Sequence, residues 1–89
     1  SQSHIMRMLE DAAEYLLLNV IRELAKNYKV SNETIHFMAS FYRFSFAGVI
    51  FDWIEKGMHE NPQKIVDRVA ILMHGTFSSA LERFEKTKM

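Results

Sequence analysis

The side chains able to do chemistry in this 89-residue sequence are histidines, carboxylates and arginines, because cysteine is absent. Without thiols there is no disulfide, no thiolate catalysis and no cysteine-containing zinc site, a usage that suits a reducing cytoplasm. His36, His59 and His74 lack a second histidine one helical turn away, the spacing that lets two imidazoles share a metal. They read as surface or capping residues, and no metal or cofactor is expected. Glu10, Asp11, Glu14 and Glu23 sit among basic neighbours such as Arg7 and Arg22. Solvated ion pairs account for them better than paired-carboxylate catalysis does. Arg7, Arg22, Arg43 and Arg68 are scattered along the chain, whereas electrostatic catalysis on a dianion needs several cations converging on one point.

Arg43 is the odd member, since it projects from the apolar side of its segment beside Ala47 and Ile54. It can anchor an acidic ligand, or it can snorkel or pair with a carboxylate across a subunit contact. With Tyr42 and Phe46 it forms the candidate small-molecule site, one polar group in an apolar sector. Trp53 is a further candidate liner, although aromatics at helical spacing more often build cores. Met38, Met58 and Met73 read as gap-fillers.

Long helices must carry these residues. Punctuation is limited to Pro62 and the glycines Gly48, Gly57 and Gly75, and neither strand alternation nor hairpin dipeptides occur. In the first helix, from about Met6 to Tyr28, Leu9, Ala12, Ala13, Leu16, Val20 and Leu24 recur at three- and four-residue spacing. Ser31 then caps a second helix, with Val30 stapled against Ile35, and that helix runs to Lys56, where Gly57 ends it. Asn61-Pro62 opens a third, continuing to about Lys86. The expectation is an all-α fold of three long helices, with loops short enough to make sequential neighbours antiparallel.

The second helix poses the central problem. Between Phe41 and Gly57 stand four phenylalanines, Tyr42 and Trp53. On a wheel of about 100° per residue, the polar Ser45, Asp52, Glu55 and Lys56 fill one narrow sector. Phe41, Phe44, Gly48 and Phe51 form one ridge. Tyr42, Phe46, Val49 and Trp53 form another, and Ala47, Ile50 and Ile54 lie between them. A helix facing one core needs an apolar stripe of roughly 100°, and this one covers about twice that. It has two surfaces to bury. The third helix carries a main stripe of Ile65, Val66, Val69, Leu72, Met73, Phe77, Ala80, Leu81 and Phe84, with Ile71 off it beside Gly75 and Ser78.

Composition sets the same requirement. A chain of this size buries only roughly 60–65% of its unfolded surface, yet 48% of its residues are apolar. Self-association is the expected remedy. Eleven basic residues balance eleven acidic ones, so no net field draws the chain to nucleic acid or an anionic bilayer. No apolar run reaches the roughly 18 residues a membrane span needs.

Phe41-Tyr42, Phe46, Gly48, Ile50, Trp53-Ile54, Gly57, Pro62, Ile65 and Leu72, in that order, resemble the effector-binding C-terminal domain of TetR-family transcriptional regulators, in its Firmicutes-type variant. The resemblance implies a homodimer in which the last two long helices of each subunit form a four-helix bundle. Phe41, Phe44, Gly48, Phe51, Ile71, Gly75 and Phe77 would then meet the partner. It also implies an effector site, and DNA contact only through a helix-turn-helix head that is not recognisable here. Residues 1–5 read as a vector scar or ragged start and residues 6–89 as a fragment of the regulatory domain. Two other classes stay in view: a small dimeric enzyme resembling the helical chorismate mutases, and a helical protein-interaction module.

Overall fold

The computed structural model describes residues 2–89, and among them every regular element is a helix. Four helices follow one another: α1 (Gln2–Ala25), α2 (Asn32–Glu55), α3 (Pro62–Met73) and α4 (Thr76–Lys86). Ser1, the first residue of the expected scar, lies outside the described residues, and residues 2–5 belong to α1.

The caps form where local chemistry requires them. The Ser31 hydroxyl accepts from the Thr34 amide at 3.0 Å, satisfying one of the amides left free at the start of α2. Val30 and Ile35, on either side of it, both pack on the core. At the other end Gly57, at φ 85°, allows Gly57 N–H to donate to Ile54 and Met58 N–H to Trp53, the paired bonds of a Schellman cap. Asn61 caps α3 through the Gln63 amide, with Pro62 in the first turn.

α1 and α2 form the central pair. Arg22 reaches His36 while Glu14 reaches Arg43, so the two helices run antiparallel. Their core stripe on α1 is Ala13, Leu17, Ile21 and Ala25. This corrects the expected stripe by one position, because Leu16 and Val20 are 63% and 50% exposed. The run Tyr15-Leu16-Leu17-Leu18 is apolar all round, so its periodicity does not single out the face that meets α2.

The third rod is divided. His74 takes ψ 119° and Gly75 a left-handed φ of 73°, ending α3 and letting α4 restart in a new direction. α4 thereby docks Ala80 and Leu81 into the core, with Phe77 and Phe84 half-buried against it. α3 buries no residue, and Val66 and Leu72 of its expected stripe are exposed. The end of the chain is tied back to the start of α2. Thr34 Oγ1 and Ser31 N–H both donate to the Met89 carbonyl, at 2.7 and 2.8 Å, while Lys29 N–H donates to Glu85 at 2.7 Å.

Candidate functional site

The face of α2 turned away from α1 carries Phe37, Phe41, Phe44, Gly48 and Phe51. Their alternating four- and three-residue steps are the spacing of a seam between two packed helices. Phe37, Phe41 and Phe44 are 61%, 62% and 51% exposed. A Cβ placed on Gly48 would meet nothing within 4 Å, so another helix backbone has room to approach there. Among the described residues no element covers Phe37, Phe41 and Phe44, while Gly48 and Phe51 are half-buried.

The other expected contact residues divide. Ile71, on α3, is 76% exposed, and Gly75 is exposed at the joint. Phe77 is engaged in its own protomer: its ring meets Tyr42 edge to face, with centroids 5.1 Å apart. Tyr42 in turn meets Phe41 edge to face at 5.3 Å, so one aromatic chain runs from the outer ridge to the start of α4.

Tyr42, Arg43 and Phe46 share the inward sector of α2 but face three different neighbours. Tyr42 borders a recess of ≈ 400 Å³ between α2 and α4, lined also by Met38, Ala80 and Phe84. Phe46 borders an apolar groove of ≈ 310 Å³ against α3, whose far wall is Ile65, Val69 and Met73. Arg43 lines neither. It is half-buried against α1, where its guanidinium donates to Glu14 at 2.9 Å and to Ser40 Oγ at 2.6 Å. Its Cζ stands 4.5 Å from the centre of the Phe44 ring, a cation–π contact. Of the two roles open to Arg43, the structure displays the ion pair, formed within one chain.

Trp53 serves the corner between α2 and α3. Its indole N–H donates to the Glu60 carbonyl at 2.7 Å, and Glu60 also pairs with Arg68 at 3.1 Å. Lys56, bonded to Asp52 at 2.9 Å, is held above the ordinary lysine range, first by that hydrogen bond, then by the carboxylate charge and more weakly by Glu60. Met38 fills the core as expected, whereas Met58 lies exposed beyond the α2 cap. Among the described residues no three His, Asp or Glu side chains converge on a point where a metal could sit.

Sequence reasoning passed over Arg83. It lines the α2–α4 recess beside Phe84 and Thr87. Its acidic neighbours are engaged elsewhere, Glu82 with Lys86 and Glu85 with the Lys29 amide. Among the described residues the Arg83 guanidinium has no partner. Its position three residues after Ala80 was legible, but nothing local indicates which helix faces that turn.

The described residues thus form an all-helical unit with an exposed aromatic ridge and flanking apolar recesses. Residues 1–75 match the family model for a transcriptional regulator C-terminal region, of the TetR type, and the chain belongs to that family. The matched segment ends at Gly75, where α3 gives way to α4. No curated protein and no solved structure gives a significant match.

Proposed function

We propose that this domain is the dimerisation and effector-binding part of a TetR-like transcriptional regulator, without catalytic activity and working in the cytoplasm. The uncovered ridge of α2 carries the reading. Each large ring left in water forgoes roughly 1.5–3 kcal/mol of burial, and a two-fold axis lets the same ridge on two copies cover itself. α2 and the α3–α4 rod of each subunit would make a four-helix bundle, with Phe41, Phe44, Gly48, Phe51, Ile71 and Gly75 towards the partner and Phe77 behind them. Such an interface should exceed roughly 1,000 Å² and be mostly apolar.

The inward sector of α2 with Tyr42, Arg43 and Phe46 supplies the effector site, flanked by the two recesses. Operator contact is assigned to a separate DNA-reading domain, because this chain has zero net charge and no recognisable reading helix. Effector binding would act by changing the separation of two such heads. Sedimentation equilibrium at micromolar concentration tests the reading. A dimer is expected, and a well-folded monomer would remove its basis.

A further inference from the structure

We infer that the recess between α2 and α4 binds an amphipathic monoanion, with Arg83 as its counter-ion. The inference rests on the effector-binding reading above and names the chemistry and the place of the ligand.

The recess, ≈ 400 Å³, falls in the range of roughly 300–1,000 Å³ typical of small-molecule sites. Its walls are the side chains of Met38, Phe41, Tyr42, Ala80 and Phe84. Such a surface accepts an alkyl or aryl body far better than a polyol or a sugar, since the Tyr42 and Thr87 hydroxyls are the uncharged polar side-chain groups of its lining. Arg83 is the charged residue of its lining. Glu82 pairs with Lys86 and Glu85 accepts from the Lys29 amide, so the solvent-exposed Arg83 guanidinium, with five donors, stands at the rim of the recess without a carboxylate of the domain bonded to it. A carboxylate at the end of an apolar chain satisfies both halves: the body fills the recess and the head takes a paired hydrogen bond from the guanidinium.

The alternative recess does not offer this combination. The α2–α3 groove is lined by Phe46, Val49, Ile65 and Val69 with Ser45, and no charged residue borders it. Arg43, the cation singled out by sequence, already has Glu14 at 2.9 Å. The α2–α4 recess is also held in shape from outside, since the bonds from Thr34 and Ser31 to Met89 and from Lys29 to Glu85 pin the end of α4 against the start of α2. Phe37 and Phe41 are at once recess walls and members of the outer ridge. Occupancy of the recess therefore bears directly on the surface proposed to meet the partner.

Isothermal titration with decanoate and with its neutral analogue decanol tests the assignment, using the full chain and its Arg83→Gln, Arg83→Lys, Arg43→Gln and Arg68→Gln variants, each checked for helicity. Decanoate should bind saturably at one site per chain, and decanol roughly tenfold more weakly or worse. Arg83→Gln should bring decanoate down to the decanol level, Arg83→Lys should restore most of the difference, and Arg68→Gln, at the α2–α3 corner away from the recess, should leave it in place. Methyl NMR shifts on binding should appear at Met38 and not at Ile65 or Val69. Absence of saturable decanoate binding, equal affinity for decanol, or indifference to Arg83→Gln would overturn the assignment. Loss of binding through Arg43→Gln alone would overturn it too, while leaving the effector reading around Tyr42, Arg43 and Phe46 standing.

Discussion

Tyr42 and Phe77 meet edge to face, with ring centroids 5.1 Å apart and planes at 77°. That contact joins the middle of α2 to the first turn of α4, just past the Gly75 joint, and it gives Phe77 a role inside the protomer. Phe77→Ala should therefore cost about 2–3 kcal/mol of fold stability, below the range for a fully buried ring because the side chain is half-exposed. Urea denaturation measures it. Ile71→Asp provides the contrast. Ile71 is 76% exposed, so circular dichroism should show an intact helical fold while the dimer, if α3 faces the partner, dissociates.

The outer ridge makes a sharper pair of tests. Phe44→Asp should give folded monomers by sedimentation equilibrium, since an unpaired carboxylate would be buried in the proposed seam. Gly48→Ala should raise the stability of the protomer by about 0.5–1 kcal/mol, the usual gain when alanine replaces glycine inside a helix, because its Cβ meets nothing within 4 Å. If a partner helix crosses at Gly48, the same change weakens association. A rise in both stability and dimer affinity would place the crossing elsewhere.

Gly75 should respond in the opposite sense to Gly48. It has equally open surroundings, but its φ of 73° lies in the left-handed region, which costs a residue with a Cβ roughly 1–2 kcal/mol. Gly75→Ala should lower the melting temperature of the domain. An unchanged or higher value would mean that α3 and α4 can merge into one rod at no loss to the α4 core contacts.

Ser31→Ala removes the hydroxyl that accepts from the Thr34 amide and also donates to Thr34 Oγ1 at 3.0 Å. About 1 kcal/mol of stability should be lost, within the usual range for an N-cap. Hydrogen exchange should quicken first at Thr34 and Ile35. Because Thr34 Oγ1 also holds the Met89 carbonyl, protection near the end of α4 should fall as well.

The helical class, both ends of α2 and the start of α3 were legible in the sequence because they are local, whereas the break between α3 and α4 was not. Ser31, Gly57 and Asn61-Pro62 act on amides and carbonyls within a few residues of themselves, and each forms the cap its neighbours require. The double ridge of α2 was legible for a similar reason, since helical periodicity alone places Phe41, Phe44, Gly48 and Phe51 on one line. Tertiary structure decided what local pattern leaves degenerate. α1 carries apolar side chains on more than one face, and only docking against α2 selected Leu17 and Ile21 over Leu16 and Val20. The joint at Gly75 lies between local signal and distant partners: beyond it α4 takes a new direction, and Ala80 and Leu81 are buried in one core with residues of α1 and α2. That turn also sets Arg83 beside the recess bordered by Tyr42. Their proximity depends on how two helices pack across a shared core, a relation that no spacing along the chain encodes.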